Sequence, residues 1–404
     1  MTLRIAIIGA GLGGLATALF LRQAGLHATV CEQAAQLREV GAGIVVSPNM
    51  VRPLVQLGLE DALVACAVRL DAAWEFRRWQ DGRVLSVQPM GQACRRLYGA
   101  DCYVAHRADL LGLLQQALPA EQLRLDQRCI QLRQDAAGVE LVFANRDGAQ
   151  STLQADVVIG ADGIHSTLRP LLAADEPARF SGLCAFRCLV PDEQAPTMAL
   201  RPVQTLWLGP GRHFVHYPVS AGRVVNVVAI VPAGDWRTES WTSDGSVHDL
   251  ATEFAGWDER VRQLIQSATD TKRWALYDRS PLDRWSHGRV TLLGDAAHAM
   301  LPFFGQGAAQ ALEDAVVLSA CLRQVDASSA TQASVPQALQ RYESIRRPRA
   351  SQVQLMSRGR ELRNHLPDGP QQQARDAELA AGDPLRDSGW LYGHELSAGL
   401  EAVA

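Results

Sequence analysis

The feature that most constrains this chain is the order of elements at its start: a strand, a glycine turn, a helix, a second strand and an acid. Leu3–Ile8 reads as a buried parallel strand, and Gly9-Ala10-Gly11-Leu12-Gly13-Gly14 follows at once. Leu15–Gln23 reads as a helix, His27–Cys31 as the next strand, and Glu32 ends it. This is the order of a dinucleotide site. Gly9 permits the tight turn. Gly11 removes a side chain where a pyrophosphate approaches, and Gly14 lets helix and strand pack closely. The helix start then offers free N–H groups to phosphate. Glu32 can accept both ribose hydroxyls of an adenosine, and it disfavours a 2′-phosphate there. The motif alone does not choose between NAD and FAD.

Further along, the pattern changes. Asn49–Leu57 and Leu59–Cys66 read as helices, Trp74–Val87 as a hairpin about Asp81-Gly82, and Ala108–Leu118 as an amphipathic helix. Leu123–Leu132, Val139–Ala144 and Ser151–Leu153 read as strands, and Ala155–Ile159 as a compact apolar strand before Gly160-Ala161-Asp162-Gly163. Cys184–Val190, Gln204–Leu208, His213–Val219 and Arg223–Val231 are strand signals separated by Pro and Gly, which predicts antiparallel sheet. Val247–Phe254 and Glu259–Ala268 predict helices beside it. Val290–Leu293 returns to the buried-strand pattern, Gly307–Leu322 reads as a long helix, and Gln337–Gly359 as another that Pro348 breaks or kinks. The tail beyond Ala374 has few signals, although Trp390-Leu391-Tyr392 can dock on the body.

The fold class expected is therefore α/β: a Rossmann-type dinucleotide-binding domain with an inserted, mostly antiparallel β-sheet substrate domain and C-terminal helices. Residues 1–70, 100–175 and 272–322 form the discontinuous nucleotide domain. Residues 71–99 and 176–271 form the inserted one, and 336–404 the C-terminal helical region and tail.

Composition removes other classes. The chain has 404 residues, 47% of them hydrophobic, which suits two or three globular domains. With 39 Lys+Arg against 43 Asp+Glu, the net charge is −4, so a nucleic-acid footprint is not expected. No apolar run reaches the roughly 18 residues of a membrane helix. No secretory signal is read at Met1–Ile8, so a cytoplasmic location is expected. Eight cysteines do not make a disulfide framework, and Cys184 and Cys188 lack a second pair at metal spacing. Free thiols and no metal site are expected.

Three landmarks together carry a resemblance: Gly9–Gly14 with Glu32, the V-V-I-G-A-D-G-I-H-S run at 157–166, and G-R-V-T-L-L-G-D-A-A-H at 288–298 continuing to Ala315. Over about residues 3–360 the chain resembles the single-component flavoprotein aromatic hydroxylases of the para-hydroxybenzoate hydroxylase fold group. The salicylate hydroxylase, 3-hydroxybenzoate 6-hydroxylase and 6-hydroxynicotinate 3-monooxygenase branches are nearest in pattern. The resemblance implies non-covalently bound FAD, with NADH or NADPH as a transient co-substrate. No second glycine motif marks a resident nicotinamide site. It also implies O2 as a partner, a small aromatic substrate, and a monomer or homodimer. In this family the ring is hydroxylated through a flavin C4a-hydroperoxide.

The resemblance further implies roles residue by residue. Gly9, Gly11, Gly14 and Glu32 hold the ADP half of FAD, and Arg38 and Arg107 match flavin-contacting arginines. Asp162 matches a motif linked to FAD and nicotinamide, with capping of the turn before a helix as the structural alternative. Asp295 matches the carboxylate near the ribityl chain or pyrophosphate. Gly305 and Gly307 lead into a helix whose start can face the flavin pyrimidine oxygen. Pro302 matches the wall beside the flavin edge where oxygen adds.

For the substrate, Gly211–Pro218 resembles a lining strand in which a histidine and a tyrosine match His213 and Tyr217. Alternation in a strand puts 213, 215 and 217 on one face and His216 on the other. An imidazole of ordinary pKa near 6.5 can take a phenolic proton, so His213 is the candidate base, and a packed histidine is the alternative. Tyr217 can hold a carboxylate or phenolic oxygen. The hydroxynicotinate branch carries a histidine in the stretch matching Gly43–Val46, which is apolar here. Met300, Leu301, Phe303 and Phe304 also predict an apolar pocket. A carboxylate would want an arginine, and Arg187 and Arg201 are the candidates. Two other readings stay open: a related FAD monooxygenase for a larger quinolone, polyketide or terpenoid, and a non-catalytic protein holding FAD as a structural or interaction element.

Overall fold

The opening apolar run forms strand Ile5–Ile8 near the centre of a six-stranded sheet in the computed structural model of the chain. The structure describes residues 3–37, 43–71, 73–172, 176–239, 243–325 and 334–396. Across that sheet the strands run Ser286–His287, Val290–Leu292, Val157–Gly160, Ile5–Ile8, Ala28–Cys31 and Leu123–Arg124. All neighbours are parallel except the first pair. Buried on both faces, such strands read as continuous apolar runs. Helix Leu12–Gln23 covers one face and packs against helix Gly307–Arg323. Gly9, at φ +106°, makes the turn between strand and helix, and a Cβ on Gly14 would lie 2.0 Å from the Gly9 carbonyl oxygen. The close packing assigned to Gly14 is thus a steric necessity.

The inserted unit is an eight-stranded sheet in the order Asp244–Gly245, Thr271–Asp278, Arg179–Pro191, Val224–Pro232, Arg212–Val219, Val203–Gly209, Ala73–Arg78, Val84–Gln88. It is antiparallel except where Val203–Gly209 runs parallel to Ala73–Arg78. One face packs Phe186, Trp207, Phe214 and Val227 under helices Val247–Glu253 and Glu259–Gln266. The other face turns toward the nucleotide-binding sheet. A small antiparallel sheet of Gly43–Val46, Tyr103–His106 and Val68–Arg69 lies beside the two large ones.

The expected α/β architecture with an antiparallel insert holds, and several local expectations change. Leu123–Leu132 is not one strand. Asp126 adopts φ +56°, a left-handed turn that ends Leu123–Arg124 and starts Arg128–Gln134 in a separate three-stranded sheet. Ala155–Ile159 divides at Asp156, whose carboxylate accepts from the Arg4 backbone at 2.9 Å and its guanidinium at 2.7 Å. Thr271–Asp278, expected largely with the nucleotide-binding segments, pairs with Arg179–Pro191 in the large sheet. Helix Ser334–Asn364 continues through Pro348 without a break. The tail is ordered into helices Pro370–Ala381, Pro384–Asp387 and Gly389–Tyr392, and Leu391 and Tyr392 are buried. All eight cysteines are free thiols. No helix among the described residues is long and apolar enough to cross a membrane.

A buried polar network ties these parts together. Arg346 is fully buried; its guanidinium reaches Glu313 at 2.7 Å, Asp314 at 2.8 Å and the Gln310 side-chain oxygen at 2.8 Å. Arg349 adds two bonds to Glu313, at 2.7 and 2.9 Å. Glu313 also accepts from Asn49 at 2.8 Å. Asp314 accepts from the Gly294 backbone N–H at 3.0 Å, and its Oδ2 lies 2.6 Å from His298 Nε2. These pairs lie on both sides of Pro348 and hold the long helix against its neighbour across the proline.

Burial alone would raise both carboxyls. Arg346 and then Arg349 at Glu313, and His298 and then Arg346 at Asp314, outweigh it and hold both below their ordinary range. Folding therefore weakens their hold on protons. Their stabilisation is complete above the unfolded carboxylate range of about 4 and is lost as pH falls below it. Arg346→Met leaves two buried carboxylates under-compensated and should cost about 3–5 kcal/mol. Urea denaturation should show a lower midpoint at pH 7, and an unchanged midpoint would contradict the role given to the network.

Candidate active site

The C-terminal ends of parallel strands are where an open α/β sheet binds its ligand. Here Gly9 and Glu32 directly follow two of the four central strands, Asp162 and Asp295 follow the other two after one or two intervening residues, and all line one cavity of about 1030 Å³. Gly11, Arg107, Gly305 and Gly307 line it as well. The cavity extends to the inward face of the eight-stranded sheet, where it is bounded by Arg187, Leu206, His213, Tyr217 and Val228. Each lining residue falls on the same parity of its strand, as a pleated sheet requires.

The nucleotide end fits FAD on steric and donor grounds. A Cβ at Gly11 meets nothing within 4 Å and projects into open space, unlike one at Gly14. Glu32 accepts the Ala10 and Ala34 backbone N–H groups at 2.8 Å each. A carboxylate has about four acceptor sites, so it retains capacity for hydroxyls. Asp295 opens the short helix Asp295–His298, set by Gly294 at φ +59°. The start of the 17-residue helix Gly307–Arg323 also faces the cavity, through Gly307, Ala308 and Ala311. Its free N–H groups favour negative charge there. Gln306, just before that helix, is locked by Ser47 and Asn49 at 3.0 Å each. Gly14 lies behind this wall and does not line the cavity. Arg38 lies outside the described residues.

Asp162 lies on the cavity wall and also caps a turn: its Oδ2 accepts from Thr167 N at 2.8 Å and Thr167 Oγ1 at 3.1 Å. Burial raises its carboxyl, against hydrogen bonds from Ser166 and Thr167 that lower it. Among the described residues no α-helix follows it where one was expected; the short 3₁₀ turn Arg169–Leu171 does.

At the ring end, His213 and Tyr217 share the cavity face and His216 points away, toward Trp207 and Phe214. His213 is not an imidazole of ordinary pKa. Burial, and then the neighbouring His365, hold it well below 6.5. Its Nδ1 lies 2.6 Å from His365 Nε2, so at neutral pH it is an uncharged, paired ring. The Tyr217 hydroxyl is pushed well above its ordinary value by burial, partly opposed by Arg187. It is therefore a protonated donor and acceptor. Its ring packs on Gly43, whose N–H donates to Asn226 Oδ1 at 2.6 Å.

Pro302, Phe303 and Phe304 form a 3₁₀ turn on the wall between the two ends. The Phe303 centroid is 5.6 Å from that of His213. The apolar lining expected from Met300, Leu301, Phe303 and Phe304 is present, with cations set into it. Arg187 lies 4.0 Å over the Trp274 ring and lines the cavity. Arg201 instead reaches Glu75 at 3.4 Å and is not among the lining residues.

Sequence reasoning missed Arg360, His365 and Asn226. Arg360 lines the cavity, 5.3 Å from the Phe304 ring centre. Asn226 looked like an interruption in an apolar strand, which is the signal that could have marked it. No motif surrounds the other two. No cluster of potential metal ligands occurs among the described residues.

Comparison with known proteins agrees with this geometry. A family model described as "FAD binding domain" matches residues 2–357. The chain is 42% identical over 394 residues to a 3-amino-4-hydroxybenzoate 2-monooxygenase of Streptomyces platensis, covering 98% of this chain and 96% of that protein. It is 36% identical over 357 residues to a 6-hydroxynicotinate 3-monooxygenase of Pseudomonas fluorescens, covering 88% and 90%. The crystal structure of Klebsiella pneumoniae HpxO complexed with FAD and uric acid matches with a TM-score of 0.83 at 30% identity, over 96% of each chain. Aminohydroxybenzoate enzymes were not among the branches expected from sequence.

The two glycines of the turn should separate binding from folding. Gly11→Val fills only open cavity, so the protein should fold with a near-normal melting temperature and retain little flavin. Gly14→Ala drives a Cβ into backbone and should cost on the order of 1–3 kcal/mol or more in stability. Flavin absorbance and thermal melts of both variants check this; full flavin content in Gly11→Val would remove that residue from the binding site.

Proposed function

The chain belongs to the FAD-binding family of aromatic-ring monooxygenases, and from that premise we propose that it hydroxylates a phenolic benzoate of aminohydroxybenzoate type, with NADH or NADPH as reductant and O2 as oxygen source. One observation carries the reading most directly: His213 and Tyr217, from one strand of the insert, share a continuous cavity with the strand end at Asp295 and the helix start at Gly307. FAD, when bound, supplies the electron transfer and the activation of O2. Gly9, Gly11, Glu32, Asp162 and Asp295 hold it in this reading, and Gly307 presents a helix start to its ring.

The remaining work falls to the protein. His213, neutral and walled in, accepts the proton of the substrate hydroxyl, which makes the ring a better nucleophile. Tyr217 orients an oxygen of the substrate through its hydroxyl. Arg187 and Arg360 are two cations of the cavity lining that a benzoate carboxylate could approach in this reading. Met300, Phe303, Phe304 and Tyr392 shape an apolar chamber that excludes water, protecting a reactive oxygen donor from wasteful breakdown. Pro302 contributes a rigid wall without a backbone N–H.

The test is turnover by purified, FAD-loaded protein given 3-amino-4-hydroxybenzoate, 3-hydroxybenzoate, salicylate or 6-hydroxynicotinate, under ¹⁸O2. At least one hydroxybenzoate should accelerate NADH or NADPH oxidation, and its product should gain one ¹⁸O atom. No acceleration and no label from any of them would defeat the reading. His213→Ala should lower hydroxylation by about 10²–10⁴-fold, the usual worth of a general base, while flavin content stays near normal. Unchanged turnover would remove His213 from the chemistry.

A further inference from the structure

We propose that His365 is a positioning residue for His213: it holds that ring in the tautomer whose Nε2 lone pair faces the cavity, and it receives the proton that His213 passes on when a substrate hydroxyl ionises. The inference rests on the proposed phenol hydroxylation and adds a second histidine to it. The two residues are 152 positions apart, and their rings meet at 2.6 Å between His213 Nδ1 and His365 Nε2. A second link fixes the approach. The Gly211 N–H, in the turn before the His213 strand, donates to the His365 carbonyl at 3.0 Å. The end of the long C-terminal helix is thereby tied to the strand that carries the candidate base.

Only one proton fits between the two nitrogens. If it sits on His213 Nδ1, the His213 Nε2 is a lone pair; if it sits on His365 Nε2, the His213 Nε2 carries hydrogen and cannot act as a base. Only the first arrangement can accept a phenolic O–H at the cavity side. On ionisation the O–H bond breaks as the His213 Nε2–H bond forms. The His213 Nδ1–H bond breaks as the His365 Nε2–H bond forms. His365 is half-buried while His213 is enclosed, so His365 can release its Nδ1 proton to water. Re-protonation of the product oxygen runs the same three transfers in reverse and restores the resting tautomers, so charge and atoms balance over the cycle without an added oxidant or reductant.

The surroundings oppose a resting charge on either ring. Arg212, paired with Glu253, and Arg375, paired with Asp376, place cations near His365, and Phe303 presents an edge to both rings. Burial, then Arg212 and Arg375, hold His365 at about 4. A proton arriving there is shed quickly.

The test uses full-length, FAD-loaded protein in two arms. In the first, ¹⁵N-histidine NMR without substrate should find His213 protonated at Nδ1 only. His365→Ala should abolish that fixed tautomer, while His365→Gln, whose amide oxygen still accepts from Nδ1, should keep it. In the second arm, 3-amino-4-hydroxybenzoate turnover is followed from pH 6 to pH 9. His365→Gln cannot carry a proton and should be about tenfold slower at pH 7, approaching wild type as pH rises and the substrate ionises unaided. A wild-type His213 protonated at Nε2 would overturn the proposal. So would a His365→Gln profile parallel to wild type, because a purely structural loss would scale every pH alike. If wild-type protein turns over no hydroxylated aromatic, the proposed function fails, and the NMR arm still decides the tautomer.

Discussion

The Arg346 guanidinium, buried between Glu313 and Asp314, is the interaction on which the nucleotide end of this molecule depends. Placing three charges in a protein interior is unfavourable unless each donor and acceptor is met, and here they are met. Glu313 reaches Asn49 and Arg349, and Asp314 reaches the Gly294 backbone and His298. The same bonds place three parts of the binding wall: the strand end before Asp295, the start of the helix at Gly307, and the segment at Ser47–Asn49 that locks Gln306. A cofactor cradle made mainly of backbone has little side-chain bulk to hold its shape. The charged network behind it supplies that rigidity.

At the opposite end, the pleat of the sheet decides chemistry. His213 and His216 lie on one strand, are both buried, and differ by an odd number of residues. His213 therefore faces the cavity and finds His365. His216 faces the packed side beside Trp207 and Phe214, where burial and the nearby Arg77 push it down to about 3. One residue type at two parities gives one ring in contact with the cavity and one that is part of the core.

The C-terminal segment encloses the space between these ends. Arg349 donates to the carbonyls of Trp390 and Leu391, Arg52 to those of Tyr98 and His394, and Tyr98 meets Tyr392 edge-on at 5.8 Å. The tail thus shares Arg349 with the buried network, so the outer wall and the cofactor cradle are held by one set of charges. Enclosure of this kind keeps water out of the space between the two ends.

Read alone, the sequence determined the elements whose evidence is local. The Gly9–Gly14 turn requires a positive φ and a missing Cβ, and those requirements are written in consecutive residues. The buried parallel strands declare themselves as apolar runs, and alternation around His213 declares the cavity face. The tertiary structure decided what depends on distant partners. It paired His213 with His365, sent Arg201 to Glu75 and Arg187 to the cavity, brought Arg360 into the lining, and divided Leu123–Leu132 at a left-handed Asp126. No periodicity encodes such choices. A side chain's partner across a hundred or more residues is set by how helices and sheets pack, and burial, which shifts the His213 and Tyr217 equilibria, exists only once they have packed.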